Sequence, residues 1–299
     1  MNSAPLRSFL FIPGDSEKKL ARAADCGADA VILDLEDAVA PEAKPAARAR
    51  IADFLTSAER GQGHPHYWVR INPLDSGYAL DDLAAVVAAQ PAGIVQPKVS
   101  GPGDVRQLSH YLDALEAAYG LTPNAIGIIP IATETAVAPF HLGEFATAGL
   151  TRLAGLTWGA EDLATAIGAT TNRDASGEWA FTFRMARSLC LLAAQAAGVP
   201  AIETLHADFK DVAGLEATSR AARAEGFSGR LAIHPAQVAA INQAFQPSAA
   251  EIDHAQRIVA AFAAQPGAGT IGLDGKMVDI PHLKQAERIL AQAKASGLT

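Results

Sequence analysis

The feature that most constrains this chain is a repeat in its pattern. Short apolar, β-rich runs recur roughly every 25 to 35 residues, and each is followed by an Ala-rich segment with helical spacing, as in successive βα units of a parallel sheet. The runs are Ser8–Ile12, Ala30–Leu35, Tyr67–Ile71, Gly93–Pro97, Ala125–Ile131, Leu153–Trp158, Pro200–Thr204 and Arg230–Ile233. They are apolar at nearly every position instead of alternating, which is the pattern of strands covered on both faces. Eight units over about 245 residues predict a (β/α)₈ TIM barrel. A doubly wound open sheet is the alternative, and it lacks a Gly-x-Gly-x-x-Gly after the first run.

The barrel pattern stops after Phe245. Gln246-Pro247-Ser248 breaks it, Ser248 is placed to cap a helix over Ala249–Ala264, Asp274-Gly275 suits the tight turn of a short hairpin over Thr270–Asp279, and a last helix starts at Pro281. The expected organisation is a catalytic barrel over 1–246 and a small helical and hairpin lid over 247–299. The lid is too small to fold alone, so it is expected to dock on its own barrel or on a neighbouring subunit.

Composition excludes several function classes. With 24 basic against 32 acidic residues the net charge is −8, which argues against a nucleic-acid binder. No apolar run is long enough to span a bilayer, and Met1–Phe9 lacks the parts of a secretory signal. The two cysteines, Cys26 and Cys190, form no CxxC pair and no disulfide framework. A cytoplasmic protein is expected, with no membrane or nucleic-acid partner.

In a barrel, the residues that do chemistry stand just after the apolar runs. Here they are acidic: Asp34-Leu35-Glu36-Asp37 after the second, Glu134 after the fifth, Glu161-Asp162 after the sixth, with Arg70 and Asn72 on the third and Lys98 after the fourth. Carboxylates converging on one mouth repel one another unless a cation neutralises them. Oxygen ligands without a Cys or His cluster favour Mg²⁺, which can hold a 2-oxoacid and stabilise charge on its oxygen. Glu36, Asp37, Glu134 and Asp162 each have an alternative reading as helix caps. Arg70, in an apolar strand, needs an anionic partner, which points to a carboxylate substrate. His206 and His234 have packing roles as their alternatives, and Lys98 has Schiff-base chemistry as a minor one.

Beyond these separate features, the chain resembles the citrate lyase β-subunit and malyl-CoA lyase group of the HpcH/HpaI aldolase superfamily. The resemblance runs through RSFLFIPG (Arg7 to Gly14), AVILDLEDAV (Ala30 to Val39), VRIN (Val69 to Asn72), QPKV (Gln96 to Val99), ATETA (Ala132 to Ala136), WGAEDLA (Trp158 to Ala164), AIETLHADFKD (Ala201 to Asp211), GRLAIHPAQV (Gly229 to Val238) and DGKMVDIPHLKQAERIL (Asp274 to Leu290). It implies a barrel with a C-terminal lid in trimers or hexamers, and Mg²⁺ held by Glu134 and Asp162. It implies Arg70 on the oxoacid, beside Glu134 in the substrate site, and Glu36 and Asp37 behind the metal. Asp279 is implied as the acid or base serving the thioester carbon from a neighbouring subunit. A closing lid is expected to raise the Asp279 pKa. The ATETA segment departs from the family's usual I-E-T form, which instead occurs at Ile202-Glu203-Thr204, so Glu203 is a competing ligand candidate.

The implied reaction cleaves a 3-hydroxyacyl-CoA thioester of the citramalyl, malyl or citryl type into a 2-oxoacid and acetyl-CoA. The alternatives are a CoA-independent 2-oxoacid aldolase, a lyase for an acylated hydroxy acid, and a subunit active only with an acyl-carrier partner. Arg7, Lys18, Lys19 and Arg22 could meet CoA phosphates or form a solvated face.

Overall fold

The computed structural model of the protein describes residues 6–298. Eight strands, β1 (Ser8–Pro13), β2 (Ala30–Asp34), β3 (His66–Arg70), β4 (Gly93–Gln96), β5 (Gly127–Pro130), β6 (Leu156–Thr157), β7 (Ala201–Glu203) and β8 (Gly229–Ala232), form one parallel sheet. The helices between and after them are α1 (Glu17–Leu20), α2 (Lys44–Ser57), α3 (Ala79–Val86), α4 (Pro102–Tyr119), α5 (Ala138–His141), α6 (Ala160–Ala166), α7 (Phe181–Ala196), α8 (Val212–Glu225) and α9 (Val238–Ala244). The ladder runs β5-β4-β3-β2-β1-β8-β7-β6, and its two ends meet through parallel bridges Ile128 to Leu153 and Ile131 to Thr157. The sheet closes into the expected TIM barrel.

Strand periodicity explains what fills the barrel and what stands above it. Phe9, Ala30, Ile32, Trp68, Val95, Ile129, Ile202 and Leu231 pack into one buried cluster. Because side chains alternate along a strand, the residue two beyond Ile32 is Asp34 and the residue two beyond Trp68 is Arg70, so both lie on the inward face at the C-terminal end. Trp68 is accommodated by glycine. A Cβ at Gly93 would meet its ring at 2.1 Å, and one at Gly127 at 3.3 Å.

The observed helix starts decide the cap alternative. After Asp37 the chain runs on to a 3₁₀ turn at Pro41–Ala43, which leads into α2, whose N-cap is Ala43. Gly159 is the N-cap of α6, and Val137 that of α5. Glu36, Asp37, Glu134 and Asp162 are therefore not N-cap residues.

A second compact unit begins at Asn242. Its helix α10 (Ala249–Ala263) is capped by Ser248, whose hydroxyl accepts from Glu251 N while Glu251 accepts from Ser248 N. Strands β9 (Thr270–Leu273) and β10 (Lys276–Asp279) pair antiparallel across Asp274 and Gly275, whose φ values of 51° and 74° make the left-handed turn such a hairpin needs. Asp279 then caps α11 (Ile280–Ala295). Ile258, Phe262, Ile271, Val278 and Ala286 form this unit's own core. Among the described residues no helix is long and apolar enough to cross a membrane.

Candidate active site at the C-terminal end of the barrel

The corner after β2 is held by side chains that bond its backbone. Asp34 Oδ1 accepts from Glu36 N at 2.9 Å, which turns the chain sharply. The buried Lys44 donates its ammonium to the carbonyls of Leu35 and Glu36, and Asn72 Nδ2 donates to Leu35 O. Gly14 allows β1 to pass close by, since a Cβ there would lie 2.8 Å from Asp34 O.

Arg70 is the centre of an ion-pair array. Its Nε and Nη2 donate to Asp34 Oδ1 and Oδ2 at 2.8 and 2.6 Å, its Nη1 lies 2.8 Å from Glu36 Oε2, and the guanidinium sits over the Phe11 ring. Burial disfavours its charge, but Asp34 and Glu36 more than offset this and keep it protonated. The anionic partner that a buried guanidinium requires is therefore supplied within the protein, by Asp34, to which the sequence reading gave no role. Its signal was register: Asp34 and Arg70 are paired residues of adjacent strands.

Lys98 joins the second group of acids. It adopts a left-handed conformation (φ 53°), which turns its amide toward Glu134 Oε2 at 2.7 Å. Its ammonium contacts Glu36, Asp37 (3.4 Å) and Asp162 (3.2 Å). This many anions keep the ammonium charged despite burial, so the geometry gives no support to a neutral Schiff-base lysine. Glu36 is the counterpart: burial pushes its carboxyl up, against the pull of Arg70 and Lys98.

Glu134 is 5% exposed, and burial together with the neighbouring Asp162 pushes its carboxyl up to about 8. It lies against Gly159, where a Cβ would come within 2.8 Å of its Oε1. Thr133 Oγ1 bonds both the N–H and the carbonyl of Gly159, which ties the ends of β5 and β6 together and keeps Glu134 beside the first turn of α6, where Asp162 sits. Among the described residues no set of three or more His, Cys, Asp or Glu side chains could by itself hold a metal ion. Two carboxylates in mutual electrostatic conflict beside an open cavity suit a cation that keeps water or substrate as its other ligands, the habit of Mg²⁺.

The cavity has a volume of about 710 Å³ and is lined by Asp34, Arg70, Glu134, Trp158 and Asp162, with Lys18, Lys19 and Arg22 also on its wall. The barrel thus brings together Glu36, Asp37, Arg70, Glu134 and Asp162. His234 also lines the cavity and stacks on Phe209 at 4.7 Å. His206 lies 3.5 Å from Asp211, and burial and Arg230 lower its pKa. Glu203 accepts from Trp158 Nε1, Arg187 Nε and Thr204 N, so its two oxygens are already engaged by protein donors. Asp279 belongs to the C-terminal unit; there His282 bonds its carboxyl and lowers its pKa, the opposite of what an acid role needs.

A parallel eight-stranded barrel with ionised groups gathered at its C-terminal mouth is the architecture of TIM-barrel enzymes. The chain belongs to the HpcH/HpaI aldolase/citrate lyase family, whose model matches residues 7–235, and a model described as C-C bond lyase of the TIM-barrel fold matches 184–298. Among its relatives is a (3S)-malyl-CoA thioesterase of Cereibacter sphaeroides, 37% identical over 97% of this chain and 95% of that protein. Another is the mitochondrial citramalyl-CoA lyase of Mus musculus, 35% identical over 97% of this chain and 86% of that protein. The crystal structure of CitE from Mycobacterium tuberculosis in complex with magnesium, acetoacetate and coenzyme A superposes with a TM-score of 0.80 at 32% identity, covering 98% of both chains.

Proposed function

We propose that this chain is a Mg²⁺-dependent carbon-carbon lyase that cleaves a 3-hydroxyacyl-CoA thioester of the citramalyl, malyl or citryl type into a 2-oxoacid and acetyl-CoA. The observation that carries the reading is the buried Glu134 and the half-buried Asp162 beside Arg70 in one cavity. The relatives named for malyl-CoA and citramalyl-CoA, and the related structure holding magnesium and coenzyme A, support the substrate class.

Glu134 and Asp162 hold the cation, which supplies Lewis-acid stabilisation of negative charge on the substrate's oxygens. Arg70, fixed by Asp34 and Glu36, orients the hydroxy-acid end through its remaining N–H donors. Glu36, Asp37 and Lys98 hold the surrounding charges and water. Transfer of the hydroxyl proton to water held by Glu36 and Asp37 and cleavage of the carbon-carbon bond leave the 2-oxoacid and a thioester enolate. Protonation of that carbon by Asp279 completes acetyl-CoA. For this Asp279 must leave the environment set by His282, and a lid closing from a neighbouring subunit supplies the change. Lys18, Lys19 and Arg22 give the cavity wall a charge suited to CoA phosphates. A trimer or hexamer fits this role of the lid, and the exposed Phe140 and Phe181 offer apolar surface for it. The two unpaired thiols are compatible with the cytoplasm.

Thioester hydrolysis is the second reading, favoured by the Cereibacter relative. The test is an assay with Mg²⁺, with and without EDTA, on malyl-, citramalyl- and citryl-CoA and the CoA-free acids. Cleavage releases a 2-oxoacid and leaves the thioester intact in acetyl-CoA, whereas hydrolysis releases free thiol. Oxoacid release from a thioester, abolished by EDTA, is the expected result. Release from CoA-free acids alone moves the protein to the aldolase alternative, and silence on every compound points to an acyl-carrier partner.

A further inference from the structure

Strand β6 carries Asp162 at its exit, yet it has the least backbone support in the barrel. It pairs with β7 only at Leu156–Ala201 and Thr157–Ile202, and its contact with β5 is through isolated bridges. Strand β2, by comparison, is paired with β1 and β3 along its whole length. Side chains take over where the ladder is short. Thr157 Oγ1 donates to Ile202 O at 3.0 Å, and the fully buried Trp158 donates its indole N–H to Glu203 Oε1 at 2.6 Å. The next residue, Gly159, is held by Thr133 and borders Glu134. One residue on either side of the Trp158–Gly159 peptide is thus fixed by a different neighbouring strand.

We infer that Glu203 is a positioning residue: its buried carboxylate, braced by Arg187, holds the Trp158 indole and through it the strand exit that presents Asp162. Arg187 Nε donates to Glu203 Oε2 at 2.6 Å, and the same guanidinium pairs with Glu225 and packs over Phe227, so α7, α8 and β7 fix the carboxylate together. Trp158 contacts Trp179 edge-on at 5.1 Å and also lines the cavity, so the ring cannot tilt without moving the cavity wall. Outer groups that orient metal-binding side chains commonly control affinity at a distance. The inference rests on the reading that Glu134 and Asp162 hold the cation.

A buried ion pair can also be a plain strut, and the protein contains a matched example. Arg152, just before β6, pairs with Glu116 at 2.5 Å, with both side chains almost fully buried. The experiment compares Glu203→Gln and Trp158→Phe, which keeps an aromatic ring but removes the indole N–H and half of the bicycle, with Glu116→Gln. Hydrogen exchange is followed over Leu156–Ala166, and Mg²⁺ binding by calorimetry on the full-length protein. Glu203→Gln and Trp158→Phe are expected to speed exchange in that segment and weaken Mg²⁺ about 10-fold or more, while Glu116→Gln lowers stability without either effect. Unchanged exchange and affinity in a folded Glu203 or Trp158 variant overturns the inference, as does an equal loss of affinity in Glu116→Gln. Should the unaltered protein fail to bind Mg²⁺, the metal reading falls, and the exchange data alone then decide whether Glu203 holds this strand exit.

Discussion

Asp34 and Arg70 face each other in the register of β2 and β3, and the Asp34 carboxylate takes two parallel hydrogen bonds from the Arg70 guanidinium, at 2.8 and 2.6 Å. A bidentate pair of this kind fixes the plane of the fork as well as its charge. The donors that Arg70 has left are therefore aimed by Asp34, and the substrate does not have to supply the only anion.

Asp34→Asn tests that relationship. The variant loses the charged half of the fork and leaves Arg70 with Glu36 as its remaining close anion, so a loss of roughly 2 kcal/mol in urea denaturation is expected. Affinity for the 2-oxoacid should fall together with turnover, because the fork is no longer held. Unchanged oxoacid affinity in a folded variant would mean that Arg70 is aimed by something else.

A methyl group at position 159 is a narrower probe. In Gly159→Ala the new Cβ lies 2.8 Å from Glu134 Oε1 and from its Cγ, so the carboxylate must move. The prediction is near-normal circular dichroism with Mg²⁺-dependent turnover reduced about 100-fold, the upper range for disturbing a group that orients a metal site. Activity within a few-fold of the unaltered enzyme would place Glu134 outside the reacting centre.

The eight strands were legible because apolar runs covered on both faces have few other solutions, and the Ser248 and Asp274-Gly275 signals for the C-terminal unit were local chemistry that the structure repeats. The same reasoning overestimated β6: Leu153–Trp158 reads as a full strand, yet only Leu156 and Thr157 join the ladder. It also held caps open for Glu36 and Glu134, since a carboxylate ahead of a helix looks the same in sequence whether it bonds the helix or a neighbouring strand. Asp34 and the left-handed Lys98 were not legible in their roles, because strand register and a φ value are properties of the packed barrel. Glu203 could be told from a ligand only by its partners, Trp158 just past β6 and Arg187 on α7.

The basic wall of the cavity predicts a salt-dependent substrate affinity. Lys18→Glu combined with Lys19→Glu should raise the KM for a CoA thioester while leaving kcat nearly unchanged, and the difference from the unaltered enzyme should shrink above about 0.5 M salt as screening shortens the reach of these charges. A KM insensitive to both changes would count against phosphate recognition there.

If the lid of one subunit serves the barrel of another, defects in the two should complement. Glu134→Gln and Asp279→Asn proteins, each inactive alone, are expected to regain activity when unfolded and refolded together, because some mixed assemblies then join an intact barrel to an intact lid. Recovery absent from assemblies verified as mixed would confine Asp279 to its own chain or remove it from the reaction.

A divalent cation shared by Glu134 and Asp162 is tested by Mn²⁺ binding, followed by electron paramagnetic resonance on the purified protein and on Glu134→Gln and Asp162→Asn. One bound ion per chain, displaced by Mg²⁺, is expected, with affinity lost in both variants while each remains folded. Equal binding in all three proteins would contradict it.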